Sequence, residues 1–248
     1  MAREESNSAK KELVRTAWQR SRRTYGYRRV TDWIRREKGL QINHKAVLRL
    51  MRILGIRSVA RRRKYYRHWE EKGICHRYPN LLDRNFQAAH PNQKWVTDVT
   101  YIQTGQGTMY LSVIKDLYDG FIVAYHTSTQ NALALVTTTL NYALQHETIM
   151  PGLTLHSDQG GQYRSHAYFA LTQGGNISAS MSRPGNCWDN APVENFFSHL
   201  KEEAIRQQKL KSIQQAREVI DDYIHFYNYE RIQLKTKLTP FERRCQSV

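Results

Sequence analysis

Asp98, Asp158 and Glu194 are the residues of this 248-residue chain whose type and placing suggest chemistry. Asp98 sits in KWVTDVTYI, with 59 residues between it and Asp158 in HSDQGGQYRS; another 35 separate Asp158 from Glu194 in APVENFF. Two aspartates on strand-like runs and one glutamate at a helix start offer clustered hard oxygen donors. A pair of Mg²⁺ ions about 3.5–4 Å apart takes such ligands and leaves positions open for a substrate phosphate. Cleavage or transfer of a phosphodiester is the chemistry to expect, with Mn²⁺ as a possible substitute metal.

Each acid has a plainer role open to it. Asp98 lies among Val96, Val99, Tyr101 and Ile102, where an unpaired charge is costly and a structural role would need a buried partner. Asp158 could shape the turn before Gln159-Gly160-Gly161. Glu194, two residues after Pro192, could serve the helix dipole. His156 points to the same side of its strand as Asp158, as a neighbour of the acids or as core.

The elements that must position these groups are readable from period and punctuation. KWVTDVTYIQT, MYLSVIKDLYDG and FIVAYHTST are β-rich runs separated by turns with Gly105, Gly107 and Gly120, the pattern of an antiparallel meander. Leu133, Val136, Leu140 and Leu144 recur at helical spacing, and LTLHSD returns to strand. That strand-helix-strand passage is a crossover, so the strand ending at Asp158 can lie parallel to an earlier one with the two aspartates side by side. NISASMS reads as a further strand and SRPGNCW as a mobile loop before the helix of Glu194. On that helix Asn190, Glu194 and Lys201 share roughly one face, and Asn190 is a candidate DNA contact.

Charge divides the chain. Residues 1–90 hold 24 Lys/Arg against 8 Asp/Glu and the remainder 14 against 14, so the whole net charge of +16 lies in front. A basic front before a neutral core implies a polyanionic partner. No apolar run approaches a membrane span and no signal-peptide pattern stands at Met1, which reads as a cytoplasmic protein without a membrane partner. Cys75, Cys187 and Cys245 are odd in number and far apart, so reduced thiols are expected. His68, Cys75 and His76 fit no zinc module.

Within the front, Val30, Trp33 and Ile34 stripe a helix that stops at Gly39. Asn43 then caps a second helix with Val47, Leu48, Met51 and Leu54, closed by Gly55. Lys45, Arg49 and Arg52 project off its apolar face, as a DNA-reading helix-turn-helix would have them; a helical hairpin with solvated charges is the alternative. The run RSVARRRKYYRHW follows, where Arg61, Arg62, Arg63 and Lys64 interleave with aromatics as a nucleic-acid arm or a solvated linker. The expected division is a helical domain over 1–56, a basic arm over 57–85, an α/β core over 86–208 and a helical tail over 209–248, the tail packing on the core.

The spacing of the acids and the words WVTDVTYI, HSDQGGQY and SMSRPGNCWDNAPVENFF resemble the DDE transposases of bacterial insertion sequences. More specifically, they resemble the second-frame product of the IS-three family. It covers nearly the whole chain, including YGYRR, NHK and RLMR in front and the YN, R, Q and TP pattern of the tail; Gly161 stands where the family often has Ser. The resemblance implies an RNase H-like, integrase-type core in which Asp98, Asp158 and Glu194 are catalytic and hold two Mg²⁺. Lys201, seven residues after the glutamate, is similar to a basic residue that holds substrate DNA; a solvated lysine is the alternative. Implied partners are the terminal inverted repeats, target DNA, further copies of the chain on DNA and the upstream-frame product, to which the family's active form is fused by frameshifting. A non-catalytic DNA-binding regulator and an RNase H-like nuclease remain the alternative functions.

Overall fold

The computed structural model describes residues 2–58, 76–149 and 151–246, with side chains from Ser8 onward. Arg61, Arg62, Arg63 and Lys64 therefore lie outside the described residues, as does Cys75. The chain divides into two compact units, Met1–Arg63 with Glu230–Thr239, and Lys64–Tyr229 with Pro240–Val248.

In the first unit α1 (Ala2–Arg20), α2 (Tyr27–Lys38) and α3 (His44–Ile53) bury Val14, Ala17, Val30, Ile34, Val47, Leu50 and Met51 against one another. Both expected helix signals act as read. Gly39 ends α2 in the left-handed region at φ 62°, where its N–H reaches Arg35 O, and the Asn43 side chain accepts from Lys45 N–H at 2.8 Å. In α3 the buried stripe includes Leu50, while Leu48 and Leu54 are only half-buried. Residues 230–239 close this unit: Lys237 Nζ pairs with Asp32 at 2.7 Å, and Tyr25 Oη accepts from Ile232 N–H at 2.7 Å.

The second unit is built on a five-stranded sheet of order β3-β2-β1-β4-β5. β1 (Lys94–Thr104), β2 (Gly107–Asp116) and β3 (Ile122–Ser128) form the antiparallel meander. α4 (Leu133–His146) then crosses over so that β4 (Thr154–Ser157) runs parallel to β1; α5 (His166–Gly174) crosses again to β5 (Ser178–Met181), parallel to β4. Alternation sorts the side chains. Trp95, Ile114 and Ala124 join Val136 and Leu140 of α4 and Tyr163 and Tyr168 around α5 in one core. The opposite face of β1, which carries Val96, Asp98 and Thr100, is met by α6 (Ala191–Glu203). α7 (Ile213–Tyr229) packs on β1, β2 and β3, with Tyr227 edge-on to Phe196 of α6.

Two connections hold this unit, one by charge and one by burial and hydrogen bonds. On α8 (Pro240–Cys245), Arg244 donates to Asp119 at 2.9 Å, Glu147 at 2.5 Å and Asn92 at 3.0 Å, and also contacts Asp116. Burial and the neighbouring Asp116 push Asp119 up to about 6 against the pull of Arg244. Ahead of β1, residues 76–85 are part of the unit: Leu82 is buried, Met181 N–H donates to Pro79 O, and Leu81 N–H donates to Ser180 Oγ at 2.9 Å.

Candidate active site

The β1–β4 register sets the site. Val96 lies opposite His156, so Asp98 follows two residues on along β1 and Asp158 two residues on, just beyond the end of β4, near enough for its charge to act on Asp98. Asp158 sits just past β4, where its Oδ1 accepts from Gly160 N–H at 2.9 Å. A methyl on Gly160 would stand 2.9 Å from that same oxygen, so the missing side chain is what lets the carboxylate fold over the turn.

Glu194 occupies the first turn of α6 and is exposed, with Pro192 beginning the helix and Val193, Phe196, Phe197 and Leu200 anchoring its inner face. The Asp98 carboxyl is held well above the usual range, first by burial and then by the charge of Asp158, with Glu194 adding in the same direction. The Val99 N–H at 2.7 Å and Lys201 oppose the rise. The three acids thus share one electrostatic field, which a cation would relieve. Their all-oxygen, all-anionic donor set suits a hard divalent ion. Among the described residues, no three His, Cys, Asp or Glu side chains are already gathered to hold a metal ion.

Lys201 is not on the open surface. Its Nζ donates to Thr100 Oγ1 at 2.5 Å and lies 5.0 Å from the ring centre of Tyr101; burial lowers its pKa, Arg206 adds to that, and Asp98 opposes it. Asn190, expected among the DNA contacts, is 2% exposed and turned inward, where its Nδ2 donates to Thr97 O at 3.1 Å. Its place is beneath the site as a brace, because the helix face shared with Glu194 begins one residue later. His156 is fully buried between Ser180 Oγ at 2.8 Å and Ser182 Oγ at 3.0 Å, and burial pushes its pKa down to about 4, so it stays neutral. In the first unit Lys45, Arg49 and Arg52 are all exposed on α3, opposite its buried stripe.

A fourth acid, Asp189, was not singled out by the sequence reading. It lies in a short 3-10 helix, Cys187–Asn190, and is completely buried. It accepts from Arg183 Nε at 2.9 Å, Arg183 Nη2 at 2.8 Å, Arg183 N–H at 3.0 Å, Arg84 Nε at 2.9 Å and Asn80 Nδ2 at 3.0 Å. Hydrogen bonds from Arg183 and Arg84 hold its carboxyl far below the usual range. The loop expected to be mobile thus carries these bonds at Arg183 and ends against Asp189. No local pattern announces this, because Asn80 and Arg84 are about a hundred residues away. Asp189→Asn should cost about 2 kcal/mol, the loss of a charged acceptor discounted for two half-exposed arginines. A thermal melt should show this as a fall of roughly 4–8 °C; an unchanged melt would mean the knot contributes nothing.

Residues 88–187 and 194–248 match families described as integrase core domains, and residues 5–64 match an HTH-like domain. Fold and site thus define an integrase-type, RNase H-like core with a helix-turn-helix module, a DNA-binding class of protein. The HTLV-2 integrase catalytic core domain, solved in complex with magnesium, shares this fold at 15% identity. It covers 63% of this chain and 98% of its own, with a TM-score of 0.50. The chain belongs to the transposase family of IS3- and IS150-type insertion sequences. It is 40% identical to the putative transposase InsK for insertion sequence element IS150 of Escherichia coli K12, across 96% of this chain and 83% of that protein. It is 35% identical to the transposase InsF for insertion sequence IS3A of the same organism, across 86% and 73%. Among the described residues no helix is long and apolar enough to cross a membrane.

Proposed function

We propose that this chain cuts DNA at the ends of its insertion sequence and joins the freed 3′ end to a second phosphodiester, with Asp98, Asp158 and Glu194 as catalytic residues. The observation that supports this reading is the β1–β4 register, which leads towards both aspartates, with Asp158 and Glu194 both acting on the Asp98 carboxyl. The three acids would hold two Mg²⁺, or Mn²⁺ in their place, and the bound metal would activate the attacking oxygen and stabilise the leaving one. In the first step water attacks phosphorus, the P–O3′ bond breaks and the element's strand keeps a 3′-OH. In the second, that hydroxyl attacks a target phosphodiester in line, and the displaced target oxygen leaves as a new 3′-OH. Gly160 and Asn190 orient the acids, His156 remains an uncharged support, and Lys201 sets a positive charge beside the phosphate.

In this reading Lys45, Arg49 and Arg52, with Arg61, Arg62, Arg63 and Lys64, dock the terminal inverted repeats. Several copies of the chain act together on DNA in the cytoplasm, with or without the upstream-frame product. The test is incubation of the chain with Mg²⁺ and DNA carrying the element's ends. Joined product supports the proposal, cleavage without joining favours a nuclease, and retention without either favours a binding protein. Ca²⁺ should permit binding without joining, because its longer, less regular coordination misplaces the in-line oxygens. Gly160→Ala should lower the joining rate by up to roughly a hundredfold through displacement of Asp158, with an unchanged fold by circular dichroism. A full rate in that variant would remove the turn from the site.

A further inference from the structure

Trp188 is 69% exposed although its two following neighbours, Asp189 and Asn190, are buried. It is the most exposed large hydrophobic side chain among the described residues, and its bonded frame leads to the acids. The segment bearing it is tied to the backbone beside both aspartates. Asn190 Nδ2 binds Thr97 O, one residue before Asp98, while Ser182 N–H binds Ser157 O at 2.9 Å, one residue before Asp158. Gln159 Nε2 closes the same span onto Ser182 O at 2.9 Å. Downstream, Asn190 leads directly into α6 and Glu194. The five hydrogen bonds converging on Asp189 hold the frame while leaving the ring free. Trp188 thus stands two residues from the side chain that bonds beside Asp98 and six residues before Glu194.

We infer that Trp188 is a stacking platform for a base of substrate DNA beside the scissile phosphate, captured from a frayed or unpaired end; this rests on the transposase reading above. An aromatic face suits a nucleobase irrespective of its identity, and a base inside an intact duplex has no free face to offer. Trp188 is thus a substrate-positioning residue, sequence-tolerant, distinct from the acids that carry the chemistry.

The test uses the full chain bound to DNA ends with 5-iodo-2′-deoxyuridine placed in turn at each position flanking the cut. Near-ultraviolet irradiation is followed by peptide mapping. An adduct on Trp188 at one or two of these positions is expected. Trp188→Ala should join fully paired ends roughly 10- to 100-fold more slowly, the range of one lost base-aromatic stack, while Trp188→Phe keeps most of the rate. Ends unpaired in advance should restore much of the Ala variant's rate, which a merely structural role would not do. Attachment elsewhere at every position, or wild-type joining of paired ends by Trp188→Ala, would overturn the inference. So would altered self-association of that variant without DNA together with no adduct on Trp188. If the wild-type chain joins nothing, the transposase reading fails, while the adduct still reports whether the ring meets a base.

Discussion

Asp98→Asn, Asp158→Asn and Glu194→Gln should each abolish cleavage and joining while leaving DNA affinity nearly unchanged. Every swap keeps the volume and removes one charge from a shared field in which Asp158 and Glu194 both raise the Asp98 carboxyl. Metal charge at a transferring phosphate supplies several kcal/mol of transition-state stabilisation, so losing a ligand should cost roughly a thousandfold or more in rate. Residual cleavage within about tenfold of wild type would remove that residue from the site. Asp98→Asn has a second expected signature in chelator. Because the fold raises this carboxyl above its unfolded value, the folded metal-free chain binds the extra proton more readily. Its stability is present while Asp98 is protonated and falls as pH rises through the raised value. The Asn variant should melt higher than wild type near neutral pH and lose that part of the pH dependence. A lower melt would show that the carboxylate is satisfied as it stands.

DNA affinity should fall steeply with salt, and the slope should belong to the front of the chain. Each neutralised phosphate contributes about 0.9 to the slope of log affinity against log salt. Replacing the exposed Lys45, Arg49 and Arg52 with Ala should flatten it by up to about 2.7, and replacing Arg61, Arg62, Arg63 and Lys64 by up to about 3–4. Lys201→Ala should change it by about one at most and chiefly reduce joining, because that lysine is half-buried against Thr100. Both groups of variants should retain the wild-type melt. If neither flattens the slope, the basic front is not the docking surface.

What could be read in the sequence is what depends on short-range pattern. The meander, the crossover to β4, the Asn43 cap and the Gly39 stop each follow from a few adjacent residues, and the acids stand in words long enough to be distinctive. What could not be read depends on chain segments far apart. Asn190 shares a face with Glu194 on a helical wheel, yet it precedes the helix and turns inward to Thr97. Asp189 looks like one more polar residue of a Gly-containing loop until Asn80, Arg84 and Arg183 converge on it. For the same reason residues 76–85, which compose like a continuation of the basic arm, are built into the catalytic unit through Leu82 and the edge of β5.

The return of residues 230–239 to the first unit bears on how copies of the element decay. Residues 230–239 complete the first unit, and only afterwards does Arg244 reach the acids of the second. A ribosome that stops before codon 230 thus leaves both halves unfinished, so a nonsense or frameshift lesion there should be as damaging as one in the middle. A shortened product still able to occupy the element's ends and block intact copies is then hard to generate by such a stop, and selection against such interference has little to act on there.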